Sequence, residues 1–115
     1  MSNNNLESIT LERQVLASLI CYTDLFHELA DSHTEADYTH PVHKACFSIL
    51  RDAVVNKKEK IDAAILAQRL TNIGLKSYED LVIGEYLGSL QFNKFSSAET
   101  ARLGIEELVK LKRLR

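Results

Sequence analysis

A chain of 115 residues has room for a single domain, and one Pro with four Gly supplies too few turn formers for a many-stranded β fold. The apolar share is 45%, with four Tyr, four Phe and no Trp, enough for an aliphatic core that takes roughly 65% of the unfolded chain's surface out of water. Fourteen Lys and Arg against sixteen Asp and Glu leave a net charge of −2, which provides neither the basic footprint of a nucleic-acid binder nor attraction to anionic lipid.

The first residues, Met1 to Asn5, are polar and carry neither the basic nor the apolar region of a signal peptide. Residues 1–7 read as a disordered leader. No apolar run approaches the ~18 residues of a membrane span, so a cytoplasmic protein is expected. Leu11, Val15, Leu16, Leu19 and Ile20 then recur at helical spacing, predicting a helix to Cys21 with Ser8 or Thr10 as its cap. A short second helix is expected over Asp24 to Ala30, carrying Leu25, Phe26 and Leu29, and the polar stretch Asp31 to Thr39 reads as a loop.

His40-Pro41 is the clearest start signal, because proline at the first helical position has no amide to lose. The helix it opens presents Val42, Ala45, Cys46, Ile49 and Ala53, widened by Phe47, Leu50 and Val54, and is expected at the centre of the core until the charged run Asn56 to Lys60 ends it. Asp62 caps a further helix through Leu66, Leu70 and Ile73, and Gly74 stands where a left-handed C-terminal residue is wanted. A helix over Tyr78 to Leu90 follows, with Leu81, Val82, Tyr86, Leu87 and Leu90 inward. Gly84 and Gly88 cost it roughly 1 kcal/mol each relative to alanine and suggest close helix packing. Ser96 with Glu99 forms a capping box that opens a last helix running to Arg115. The segment from Arg102 to Arg115 holds five basic and two acidic residues, so it carries +3 and the preceding residues carry −5. The fold class is all-α, a compact bundle of about six helices.

Several constellations invite a chemical reading. His33, Asp37, His40, His43 and Cys46 cluster in sequence, with His43 and Cys46 three apart on a helix, but the paired spacings of zinc sites are absent and structural roles are expected; no metal is assigned. Cys21 and Cys46 both lie in apolar periodic segments and read as free, buried thiols instead of nucleophiles. Glu79 with Asp80, and Glu106 with Glu107, are sequence neighbours that point about 100° apart on a helix and cannot act as a paired acid and base. No glycine precedes a Lys in the manner of a phosphate-binding loop, so no catalytic residue and no cofactor is assigned. A helix-turn-helix around Gly74 would place Ser77, Tyr78, Glu79, Asp80 and Glu85 toward phosphates, against the electrostatic term that drives DNA binding. In the terminal helix, Ile105, Leu108, Leu111 and Leu114 form an apolar stripe beside Lys110, Lys112, Arg113 and Arg115. With no obvious partner left inside the chain, that stripe is expected to be a self-association surface, which Asp at Leu108 or Leu111 would weaken.

Five segments in order resemble the N-terminal domain of DnaB-type replicative DNA helicases, from about Ser8 to Arg115. Ser8-Ile9, Glu12, Val15-Leu16 and Leu19-Ile20 are similar to the family's first helix. Asp37-Tyr38, Pro41, His43 and Phe47 resemble its D-F-x-x-P-x-H-x-x-x-F pattern, with Tyr for the first Phe, and Ile61-Asp62, Leu66 and Leu70 its V-D-x-x-x-L-x-x-x-L segment. Tyr86-Leu87 resembles its Y-L pair, and Ser97-Ala98 stands where its helical hairpin begins. The stretch Asn72 to Glu85 departs from the family by lacking the glycine pair before Y-L.

The resemblance implies a globular helical head over residues 8–95 and the start of a helical hairpin or linker over 96–115. It implies a non-catalytic domain that mediates hexamer assembly with other helicase protomers and docks the primase C-terminal domain or a helicase loader during DNA replication. ATP and Mg would belong to a motor domain beyond Arg115, and no direct DNA binding or membrane contact is expected of this segment. The setting implied is the cytoplasm of a bacterial cell, or a phage protein in a bacterial host. A stand-alone helical adaptor and a small DNA-binding regulator are the alternative readings.

Overall fold

A computed structural model describes residues 2–22, 26 and 34–114, with side chains from Ile9 onward. Helix α1 spans Ser2–Cys21. No Pro or Gly interrupts that stretch, so the helix reaches back through the segment assigned above to a leader. Its buried face begins at Glu12 and continues through Val15, Leu16 and Leu19, with Leu11 and Ile20 half-buried. The helix expected over residues 24–30 lies outside the described residues except for Phe26, which is helical and buried.

A single 3-10 turn, Glu35–Asp37, is held by a capping box in which the Thr34 hydroxyl accepts from the Ala36 amide and the Asp37 carboxylate accepts from the Thr34 amide. Helix α2 spans Pro41–Arg51 and starts as its sequence dictates, with Pro41 in the first turn and the His40 Nδ1 accepting from the Val42 amide at 3.1 Å. A π-helical turn, Asp52–Asn56, extends it. Helix α3, Ala63–Asn72, is capped by the Asp62 carboxylate, which accepts from the Ile65 amide at 3.0 Å. Gly74 ends it at φ 96°, the left-handed conformation its position called for.

The next segment differs from expectation. Residues 78–82 are not helical: strands β1 (Ser77–Tyr78) and β2 (Leu81–Val82) pair antiparallel, Ser77 opposite Val82 and Tyr78 opposite Leu81. Glu79 turns the chain with φ 53°, a conformation no helix contains. Once the stretch is a hairpin, helical periodicity no longer governs its side chains, and Leu81 and Val82 are exposed instead of inward. The same hairpin occupies the place a DNA-reading helix would need. Helix α4 therefore begins only at Ile83 and runs to Leu90, followed by a 3-10 turn, Gln91–Asn93.

Helix α5 spans Ala98–Leu114. Its cap is Ser97, whose hydroxyl accepts from the Thr100 amide at 3.2 Å, and not Ser96. With the start one residue later, Glu99 falls in the second helical position and the anticipated box does not form.

Helix α1 is the organising element. It packs chiefly against α5, with α2, α4 and the 3-10 turn Gln91–Asn93 beside it, while α3 lies on α4 and α2. The Phe95 amide donates to the Ser18 hydroxyl at 2.9 Å and the Tyr22 hydroxyl donates to the Phe95 carbonyl at 3.0 Å, tying the entry to α5 onto α1. The aromatic centre stacks Phe26 on Phe47 at 5.6 Å, with Tyr38 against Phe47 at 5.4 Å. Five α-helices among the described residues and one two-stranded hairpin thus form an all-α bundle whose radius of gyration, 13.2 Å, matches the roughly 13 Å of one domain this long.

Candidate functional site

Glu12 is a carboxylate on the buried face of α1, four residues before Leu16, and it is fully buried. Its placement is possible because every neighbour supplies a donor. One oxygen accepts from the Thr39 amide at 2.8 Å and from the Thr39 hydroxyl at 2.6 Å. The other lies 2.8 Å from the His43 Nδ1 and 3.4 Å from the His40 amide. Burial alone would raise this carboxyl, but the hydrogen bonds from His43 and Thr39 outweigh it and hold the group at about 2.

His43, on α2, is also fully buried. Its Nδ1–H donates to Glu12, and its Nε2 accepts from the Tyr86 hydroxyl at 2.5 Å; this tautomer satisfies both neighbours. The Tyr86 ring stacks on Tyr78 at 3.9 Å with 2° between planes. Arg13, next to Glu12 on α1, lies over the Tyr78 ring at 5.3 Å and donates to the Tyr78 hydroxyl at 2.9 Å. Burial alone would lower the guanidinium's pKa; the Tyr78 hydroxyl, with Tyr86 beside it, raises it. One chain of contacts therefore joins α1, α2, α4 and the hairpin.

This network cannot act as an acid–base catalyst on a substrate, because Glu12 and His43 have no exposed surface from which to reach one. Beside it, Arg13, Tyr78 and Tyr86 border an open cleft of about 350 Å³, with Ser89, Leu90 and Asn93 on the α4 side and the hairpin turn residues Glu79 and Asp80 in its lining.

The residues singled out in the sequence fall into separate places. His40 caps α2 with Nδ1 and its ring packs near those of His43 and Tyr78; burial lowers its pKa. Asp37 closes the capping box and lies 3.9 Å from the Lys112 ammonium. Cys46 is buried in the core, which pushes its thiol up to about 12. Cys21, the last residue of α1, is free but exposed, contrary to expectation, although Leu19 in the same turn stays in the core. His33 lies outside the described residues. Among the described residues no three His, Cys, Asp or Glu side chains converge on a metal position, and no helix is long and apolar enough to cross a membrane.

The terminal stripe divides along its length. Ile105 is 3% exposed and Leu108 is fully buried, both in the common core against α1, so the premise that they lack a partner within the chain does not hold. Leu111 is half-buried and Leu114 is 83% exposed. Gly84 and Gly88 have nothing within 4 Å of where a Cβ would stand, so close packing is not their role. That role belongs to Gly104, where a Cβ would sit 2.5 Å from the Phe95 ring.

Sequence reasoning named Glu12, His43 and Tyr86 singly but did not join them to one another or to Arg13. The available signal was a carboxylate spaced with Val15, Leu16 and Leu19 on one helix face, which demands buried donors from elsewhere in the chain.

Comparison with known proteins follows the same lines. No curated protein matches the chain. Among solved structures it is similar to the N-terminal domain of DnaB helicase from Mycobacterium tuberculosis, with a TM-score of 0.79 and 20% identity over 93% of this chain and 74% of that one; at that identity the likeness establishes the fold. The family model for the DnaB-like helicase N-terminal domain matches residues 4–104. The chain belongs to the DnaB-like helicase N-terminal domain family, the non-catalytic part of such helicases.

Proposed function

We propose that this domain serves a replicative DNA helicase as its assembly and docking element, joining protomers into a hexamer and presenting a surface to primase or to a helicase loader. The family match over residues 4–104 carries the reading. In it, ATP and Mg are the business of a motor domain, and the setting is the cytoplasm of a bacterial cell or of a phage-infected one.

Helix α5 is the element we assign to self-association. Ile105 and Leu108 hold it to α1, while Leu111 and Leu114 carry the apolar stripe outward. An apolar row rimmed by Lys110, Lys112 and Arg113 suits a helix that packs on another helix with its charged tips in water. The test is direct: titrate the chain with the C-terminal domain of the primase encoded by the same genome and follow the complex by sedimentation velocity. A saturable complex is expected. Failure to bind, combined with salt-dependent binding to duplex DNA, would replace this reading with that of a DNA-binding regulator.

A further inference from the structure

His40 caps α2 by a bond that depends on its own charge. Its Nδ1 accepts from the Val42 amide at 3.1 Å, so the ring is neutral with its proton on Nε2. A protonated imidazole carries a hydrogen on both nitrogens and has no acceptor left, and flipping the ring does not restore one. It would also set a positive charge at the end of the helix that already bears the positive pole of the backbone dipole. The ring is half-buried, so a proton can reach it, and it lies 4.5 Å from the Tyr78 ring and 5.2 Å from the His43 ring. Stacking on Tyr78 does not shelter the charge, because the Arg13 guanidinium lies over that same ring at 5.3 Å.

We infer that His40 is a proton-released latch: protonation breaks its bond to the Val42 amide, swings the ring out to solvent, loosens the first turn of α2 and uncovers the neighbouring Tyr78 ring of the hairpin. The titratable and charged groups that face it are Glu12 and Arg13 from α1, His43 from α2 and Glu79 from the hairpin turn. The two carboxylates favour the charged ring, but Glu12 is already met by four donors. Desolvation, with His43 and Arg13, prevails and holds His40 below its ordinary 6.5. Below 6.5 the unfolded chain therefore takes up this proton before the folded one. The cap's contribution is complete above 6.5 and is lost as pH falls through the lower folded value. Glu12, held at about 2, keeps its charge meanwhile, and its bonds to the Thr39 and His40 amides tether the backbone while the His40 side chain leaves. The latch is a property of the folded head alone and does not rest on the assembly reading.

The test is an NMR titration of the chain labelled with nitrogen-15 and carbon-13, from pH 8 to pH 5, above the range in which Glu12 loses its charge. The His40 ring is expected to titrate below 6.5. Hydrogen-exchange protection of the Val42 amide should fall about fivefold or more at the same midpoint, as loss of one N-cap requires. Cross-relaxation between the His40 and Tyr78 ring protons should disappear with it. His40→Asn keeps a capping acceptor that does not titrate, so Val42 protection should stay constant across the range; the wild-type readings decide the matter if that variant does not fold. Titration of His40 with Val42 protection and the Tyr78 contact intact overturns the inference, as does a midpoint at or above 6.5. Loss of protection at the same pH in His40→Asn overturns it equally and assigns the transition to His43.

Discussion

Glu12 concentrates more consequence than any other side chain in the molecule. Four donors meet its carboxylate, from Thr39, His40 and His43, so the charge on one α1 residue fixes the loop before α2 and the first turn of α2 together. Its pKa falls from an ordinary 4.5 to about 2 on folding. The folded value lies below the unfolded one, so the stabilisation is complete above pH 4.5 and is lost as pH falls toward 2. At about 1.4 kcal/mol per unit, the loss is on the order of 3 kcal/mol. Thermal melts from pH 7 to pH 2 should show a steep fall in that window, and Glu12→Gln should flatten it while lowering the melting temperature at pH 7. An unaltered acid limb in the variant would mean other carboxylates set it. Little of this was legible beforehand. A carboxylate at apolar spacing signals that donors must exist, but the donors sit 27 to 31 residues away in sequence, and only the fold brings them together.

At the scale of elements, termini were legible and the hairpin was not. The caps of α2 and α3 and the left-handed Gly74 follow from one side chain or one backbone angle, so local sequence suffices. The hairpin at Ser77 to Val82 is accompanied instead by Tyr78 stacking on Tyr86 of α4, a tertiary contact of the kind that overrides a helical pattern of apolar residues. The glycines separate these effects experimentally. Gly74→Ala meets open space but must hold φ 96°, and should cost about 1–2 kcal/mol in chemical denaturation. Gly88→Ala, in mid-helix with open space around it, should stabilise by up to about 1 kcal/mol. Gly104→Ala should destabilise by about 1–3 kcal/mol through the Phe95 ring, and pairing it with Phe95→Leu should recover part of that loss. Equal effects at all three positions would contradict the distinction.

Across the whole molecule, the near-neutral total conceals a basic last helix docked on an acidic body, and the docking is visible in the Lys112 approach to Asp37. That asymmetry could be counted in the sequence. Which residues of the terminal stripe were already spent on the body could not, because helical spacing gives a face and not its partner. Leu108→Asp would bury a charge in the core and should unfold the domain, at on the order of 4 kcal/mol or more. Leu114→Asp, by contrast, should leave the melting temperature within about 2 °C, since exposed changes seldom exceed 0.5 kcal/mol. If α5 mediates assembly, light scattering of the full helicase carrying Leu114→Asp should show fewer hexamers. Intact hexamers would remove Leu114 from the interface.

The Phe95 ring seated against Gly104 works as a key in a slot. A helix turns about 100° per residue, so a single notch fixes both how α5 is rotated about its axis and how far it slides along α1. The bearing of Leu114, ten residues further on, is thereby set from the far end of the helix. A residue at 104 with any side chain would re-aim that outer end without touching it.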